Sequence, residues 1–331
     1  MPASRKVLIA DDNISPEGVD LLSRAADLVH LPAYTPEPEI AAAAADVDGI
    51  LVRACEIPAS VVEAAPRLQV VSRHGVGYDN VDVEACTRNG IVVSITERAN
   101  VQAVSEHAFA CMLALANKIV AADAGIRRGE WERAAYVGTE MHGKVLGIFG
   151  LGRIGSRVAR QAAAFQMEVV ACDPYVDPAH AAELRAELVS AEALLHRADY
   201  VTLHVPLSVA THHLIGAPEL EAMKLTAFLV NTSRGGIVDE RAVCAALRAG
   251  RLAGAALDVF EQEPVSSEHP LHDVENLLLC SPHVAGQSQE SMVRMSLHAA
   301  ENILRVFRGQ PPSFTVNPEV LSDTSRVTWK R

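Results

Sequence analysis

The stretch KVLGIFGLGRIG, Lys144 to Gly155, decides the fold. Its first half, Val145 to Phe149, is a short apolar run bounded by turn signals, as a buried strand is. Its second half places Gly150, Gly152 and Gly155 in GxGxxG spacing and opens a helix at about Arg153 and Ile154. Gly150 suits a tight turn, Gly152 lets backbone approach a pyrophosphate, and Gly155 lets helix and strand pack closely. The helix N-terminus then offers unpaired N–H groups to the phosphates. A second strand, EVVACDP, carries Asp173 at its end, 21 residues after Gly152. A carboxylate there accepts hydrogen bonds from ribose hydroxyls and repels a 2′-phosphate, and no arginine follows in PYVDP. The cofactor expected is NAD rather than NADP.

Working outward, the same alternation fills the chain. YVTLHV, AFLVN, LAGAALDV and LLLCSPH continue the strand series after Asp173, each separated by a helix-length segment. Before Lys144, KVLIAD, DGILV, LQVVS and GIVVS read as strands, with helices starting near Pro16, Pro36, Pro58 and Val81. Short apolar runs alternating with helical periods are the signature of parallel βαβ sheets. The fold class is α/β, two doubly wound parallel-sheet domains of Rossmann or flavodoxin-like type, the first discontinuous. The expected boundaries are residues 1–99 with 288–318 for a substrate-binding domain, 100–287 for the NAD-binding domain, and a disordered tail over 319–331. One long helix over about Asn100 to Arg128 and another over about Gln289 to Arg308 are expected to connect them, with the ligand in the cleft between.

Composition narrows the class. The 331 residues are 49% hydrophobic but only 4% aromatic, so the core is built of Ala, Val, Leu and Ile. A formal charge of −12 argues against nucleic-acid or anionic-membrane partners. It also makes each arginine in a candidate site informative. Six scattered cysteines without a CxxC pair read as reduced structural thiols, and no metal is expected. The apolar start after MPASRK is too short for a signal peptide, and Ala108 to Ala122 too short and polar to span a bilayer, so a cytoplasmic location is expected.

The chemistry collects where strands end. In LVNTSRGGIVDE, Arg234 follows an apolar strand and is flanked by Thr232, Ser233, Gly235 and Gly236. In ALDVFEQEP a strand ends at Asp258 and leads to Glu263; in LLLCSPHVAG another ends at His283, with Gly286 beyond. Loops at the carboxyl ends of strands are where open α/β sheets bind ligands. Arg234, Glu263 and His283 thus share one sheet edge. These stretches, in this order and spacing, resemble the D-isomer-specific 2-hydroxyacid dehydrogenases, over nearly the whole chain.

The resemblance implies a two-domain fold, a homodimer formed through the NAD-binding domain, and a catalytic set of Arg234, Glu263 and His283. Reduction of a 2-oxo acid needs a proton at the carbonyl oxygen. His283 is the natural donor because imidazole titrates near neutrality. Glu263 would orient the ring, and the Arg234 fork would hold the substrate carboxylate and polarise the carbonyl. His204, Val205 and Pro206 at the end of YVTLHV fall where the family sets residues beside the cofactor. Asp258 would contact the nicotinamide carboxamide or support the local hydrogen bonds. His107 is expected to be structural, and the role of His74 stays open.

The N-terminal part resembles D-3-phosphoglycerate dehydrogenases in LVR, LQVVSRHGVGYDNVD, RRGEWER and GTEMHGKVLGIFGLGRIG, of a short form without a regulatory domain. There, arginines at the positions of Arg53 and Arg73 meet a phosphate, and one near Arg133 can arrive from the partner subunit. Gly75, Val76 and Gly77 form a tight turn suited to a carboxylate. The segment SITERANVQAVSEH departs from the usual loop. The expected substrate is 3-phosphoglycerate/3-phosphohydroxypyruvate or a similar doubly anionic acid, a sulfonate included. The alternatives are glycerate/hydroxypyruvate or another simple D-2-hydroxy acid and, more remotely, an NAD-sensing corepressor-like binding protein.

Overall fold

A computed structural model gives the architecture over residues 4–274, 277–322 and 326–329. The chain forms two compact units, Met1–Asn100 with Gln287–Arg331, and Val101–Gly286.

The first unit runs β1 (Lys6–Ala10), α1 (Pro16–Ser23), β2 (Asp27–Leu31), α2 (Glu37–Ala44), β3 (Gly49–Val52), α3 (Ala59–Glu63), β4 (Val70–Arg73), α4 (Val83–Arg88) and β5 (Val92–Ile95). It is completed by the helix Gln289–Phe307. Its five strands lie in the order β2-β1-β3-β4-β5, all parallel. Side chains alternate across the sheet as a pleat requires. Val7 and Ile9 pack with Ile303 on one face, while Leu8 and Ala10 pack with Ile40 and Ile50 on the other. Both faces are helix-covered, which is why β3 is buried at every residue.

The second unit runs α5 (Val101–Ala116), α6 (Ile119–Arg127), β6 (Val145–Phe149), α7 (Arg153–Ala164), β7 (Glu168–Cys172), α8 (Pro178–Glu183), β8 (Ala186–Leu188), α9 (Ala191–Arg197), β9 (Tyr200–Leu203), α10 (Ala217–Ala222), β10 (Phe228–Asn231), α11 (Glu240–Arg248), β11 (Gly254–Leu257) and β12 (Leu278–Cys280). Its seven parallel strands are ordered β12-β11-β10-β9-β6-β7-β8. The order reverses between β6 and β9, the switch point at which such sheets bind nucleotides. Leu146 and Ile148 face α5 and α7, whereas Phe149, Val201 and Leu229 face α9 and α11.

The doubly wound α/β class is as expected, with three local corrections. The long helix over 100–128 is two helices bent by 61°. Lys118 between them is left-handed at φ 51°, and the Thr139 N–H bonds the Ala116 carbonyl at 2.9 Å. That carbonyl is thereby diverted from a continuing helix. Two edge strands, β2 and β8, carry no apolar run that announces them. The tail expected to be disordered from 319 instead continues a short 3₁₀ turn, Pro318–Ser322. Val320 and Val327 are buried against Ile303 and Leu304, which outweighs the tail's polar composition. The rest of that expectation, at residues 323–325, 330 and 331, lies outside the described residues.

Candidate functional site

Two switch-point loops define the cofactor side. Gly150 stands at φ +86°, and a Cβ there would meet the His204 carbonyl oxygen at 2.6 Å. Only glycine combines that dihedral with that approach. At Gly152, the N-cap of α7, a Cβ would meet nothing within 4 Å, which leaves open space over the helix N-terminus. Gly155 sits where any side chain would strike the Gly150 carbonyl, so helix and strand are in backbone contact. Asp173 turns back onto this loop, with Oδ2 accepting from Leu151 N at 2.8 Å and Oδ1 from Tyr175 N at 2.9 Å. Burial drives His204 down to about 3, so its imidazole is neutral, with Nε2 3.0 Å from Thr202 Oγ1. His204 Nδ1 and Thr232 Oγ1 are buried without a hydrogen-bond partner among the described residues. Open space at a helix N-terminus, a carboxylate behind it and unsatisfied polar atoms along the same edge fit a dinucleotide.

The arginine loop is built on Asn231, the last residue of β10, which is fully buried. Its Oδ1 accepts from Ser233 N at 3.0 Å and Ser233 Oγ at 2.8 Å, while its Nδ2 donates to the Arg234 carbonyl at 2.7 Å. The loop is thus fixed in a tight turn with Arg234 extended at φ −145°. A Cβ on Gly235 would collide with the Phe260 carbonyl. That glycine lets the Arg234 loop lie directly on the segment that carries Glu263.

Glu263 and His283 meet, with Oε2 to Nδ1 at 2.8 Å, while Glu263 Oε1 accepts from Phe260 N at 3.0 Å. Burial opposes ionisation of Glu263. The His283 hydrogen bond, the Phe260 N–H and the charges of His283 and Arg234 outweigh it and hold the carboxyl below its usual range. His283 has φ +53°, an uncommon conformation for a residue with a side chain. Asp258 maintains it. Its carbonyl accepts the His283 N–H at 2.7 Å. Its carboxylate accepts Ser281 Oγ at 2.6 Å, Val284 N at 2.9 Å and Ala285 N at 2.8 Å. Strain held by three charge-assisted bonds is a mark of a working loop. His107, expected to be structural, lies beside it with Nε2 3.2 Å from Ser281 Oγ and 3.8 Å from Asp258 Oδ1.

In the first unit, Arg53 and Arg73 end adjacent strands. Burial first, then the charges of both arginines, push His74 down to about 3. Val52 pairs with Arg73 and its carbonyl accepts the His74 N–H at 2.8 Å, so the three positions are neighbours, with His74 fully buried and its Nε2 2.9 Å from Ser296 Oγ. Arg53 Nη1 is 3.8 Å from Asp11 Oδ1, an acid at the end of β1 that sequence reasoning did not single out. Arg73 donates through Nη1 to the His74 carbonyl. The Gly75 N–H is taken by the Arg73 carbonyl at 3.0 Å, so the expected carboxylate cup rests on Val76 and Gly77. Asn231 and Asp11 each announce themselves only as a polar residue at the end of an apolar strand.

Residues 109–285 match the family described as D-isomer specific 2-hydroxyacid dehydrogenase, NAD binding domain. The chain is 44% identical over 269 residues to a glyoxylate reductase of Korarchaeum cryptofilum, covering 80% of this chain and 81% of that one. It is 39% identical over 313 residues to a D-3-phosphoglycerate dehydrogenase of Archaeoglobus fulgidus, covering 94% of this chain but spanning 59% of the relative's length. A crystal structure of a Thermus thermophilus protein is similar at a TM-score of 0.88 and 35% identity, over 94% of this chain and 99% of that one. Among the described residues no single helix is long and apolar enough to cross a membrane, and no cluster of potential metal ligands occurs. With the family matched over most of the second unit and a relative 44% identical over 80% of this chain and 81% of its own, the chain belongs to the D-isomer specific 2-hydroxyacid dehydrogenases and is an NAD-dependent oxidoreductase acting on 2-hydroxy and 2-oxo acids.

Proposed function

We propose that the substrate is a D-2-hydroxy acid, or its 2-oxo form, carrying a second anionic group, most simply 3-phosphoglycerate/3-phosphohydroxypyruvate. The observation that supports this reading is the placement of Arg53 and Arg73 at the ends of the adjacent strands β3 and β4, at one edge of the five-stranded sheet. In a chain of net charge −12, which repels an anionic substrate overall, two guanidiniums placed at adjacent strand ends supply the local positive charge that a second anion needs.

Arg234 binds the 2-carboxylate and polarises the carbonyl. His283, oriented through Nδ1 by Glu263, moves the proton at Nε2. Val76 and Gly77 would offer backbone N–H groups to an anionic group of the substrate. Gly150, Gly152, Arg153, Ile154 and Gly155 would hold the NAD pyrophosphate, and Asp173 its adenosine ribose. His204, Val205, Pro206, Thr232 and Gly286 would line its nicotinamide half, while Asp258 acts by fixing the His283 loop. Bound NAD supplies the hydride acceptor or donor.

The second reading is a glyoxylate or hydroxypyruvate reductase. Identity to the Korarchaeum enzyme favours it, as does Asp11, whose charge offsets part of Arg53's. NADH oxidation with 3-phosphohydroxypyruvate, sulfopyruvate, hydroxypyruvate, glyoxylate and pyruvate separates them. Phosphohydroxypyruvate is expected to give the highest kcat/KM, and Arg53→Ala to weaken it more than hydroxypyruvate. Equal losses on both substrates would remove the second-anion reading. The functional unit is proposed to be a homodimer formed through the NAD-binding unit.

A further inference from the structure

Glu240 is the first residue of α11, a position where an acidic side chain usually reaches into water beside the helix N-terminus. Here it turns inward and is 3% exposed. Both of its oxygens accept. Oε1 takes the Glu261 N–H at 2.5 Å, and Oε2 lies 2.9 Å from His269 Nε2. His269 Nδ1 accepts the Leu271 N–H at 3.2 Å, so Nε2 carries the proton and donates it. Glu261 is held a second time through Oε1, 2.8 Å from His213 Nε2. The preceding N–H, that of Phe260, goes to Glu263. The Glu261 peptide is therefore held from behind, the Phe260 N–H closes the turn onto Glu263, and Glu263 meets His283.

This arrangement is expensive. Burial, with the charges of Glu261, Glu263 and Asp239 behind it, pushes Glu240 up to about 7 although the Glu261 N–H opposes the shift. Burial and the charges of Arg241 and His272 push His269 down. Apolar residues of similar volume often stabilise a fold as well as a buried ionisable pair does. The pair instead stands behind the one segment whose direction sets the Glu263–His283 hydrogen bond.

We propose that Glu240 and His269 are positioning residues for the Glu263–His283 pair, fixing the Glu261 peptide so that Glu263 faces the imidazole. The inference rests on reading Glu263–His283 as the proton-transfer pair. The test uses the full-length enzyme as Glu240→Gln, His269→Leu and His269→Gln, with Glu263→Gln as reference. In Glu240→Gln an amide N–H faces the His269 donor, and in His269→Leu the donor is lost. In His269→Gln an amide N–H replaces Nε2–H. The first two are expected to lose about 10- to 100-fold in kcat, the scale of a small misplacement of a catalytic group. KM and NADH affinity should stay near wild type, and the alkaline limb of the reduction profile should move to lower pH, as in Glu263→Gln. His269→Gln should keep most of its kcat. A wild-type kcat and pH profile in Glu240→Gln and His269→Leu, whatever their melting temperatures, overturns the proposal. So does a His269→Gln enzyme as slow as His269→Leu. If Glu263→Gln itself turns over normally, the proton-transfer reading falls and takes this inference with it; if only the Glu240 and His269 variants do, the clamp alone is refuted.

Discussion

At the scale of single residues, charge and reach decide the outcome. Arg234 is the cation set on the Glu263 side of the site, and three hydrogen bonds through Asn231 fix its loop, beside the one that Arg234 Nη1 donates to the Ser233 carbonyl at 2.6 Å. Arg234→Ala should therefore leave the loop and NADH binding intact while removing a desolvated charge contact worth about 2–5 kcal/mol. At about 1.4 kcal/mol per decade this is roughly 30- to several-thousand-fold in kcat/KM, read from steady-state kinetics beside an NADH fluorescence titration. The pH dependence follows from Glu263. Its carboxyl is held below its ordinary 4.5, so the stability its pairing contributes is complete at neutral pH and lost only as pH falls through the lowered value. Between pH 6 and 9 its charge is constant, so a titrating limb in that range does not come from Glu263. Glu263→Gln removes the charge that favours the imidazolium, so the alkaline limb of reduction should move to lower pH. A limb that stays in place would show that Glu263 does not act on the ring. Arg234, Glu263 and His283 were legible because each follows an apolar run that ends in small residues or next to proline. Glu240, His107 and Asp11 were not, because their partners lie far along the chain and only the folded sheet brings them together.

At the scale of elements, the loop after β12 is governed by the end of β11. One carboxylate, Asp258, accepts three donors from residues 281–285 and holds His283 at positive φ. Asp258→Asn replaces an acceptor oxygen with an N–H₂ facing those donors. It should destabilise the second unit by about 1–3 kcal/mol, the cost of a buried donor left unsatisfied, seen as a lower melting temperature, and kcat should fall with it. An unchanged kcat would mean that the loop keeps its shape without the carboxylate. The strands were readable wherever burial on both faces demanded unbroken Val, Ile and Leu. The edge strands escaped notice because half-exposed DLVHL and the three-residue AEL need no such run. The break between α5 and α6 was hidden for another reason. The apolar periodicity continues across Asn117 and Lys118, and the carbonyl that ends the first helix is claimed by Thr139, beyond the reach of any local pattern.

At the scale of the whole molecule, the net charge of −12 sets like against like when two copies approach. Association must then come from apolar burial. Exposed apolar side chains are concentrated in one part of the second unit: Ile119, Val120, Ile126, Trp131 and Val137 are each more than half exposed, with Trp131 at 78%. Such a concentration between residues 119 and 137 is what a self-complementary interface requires. If the proposed homodimer forms here, sedimentation velocity should find a dimer whose affinity rises with salt, because screening weakens the mutual repulsion and leaves the apolar contribution in place. Ile126→Glu with Trp131→Glu should give a folded monomer, since carboxylates at an apolar interface add both desolvation and repulsion. If that variant stays dimeric with an unchanged dissociation constant, the interface lies elsewhere. If its monomer also turns over more slowly on phosphohydroxypyruvate than on glyoxylate, relative to wild type, the partner subunit's Arg133 becomes the natural third cation for the second anion. Arg133→Ala in the intact dimer should then reproduce that selective loss without changing the oligomeric state.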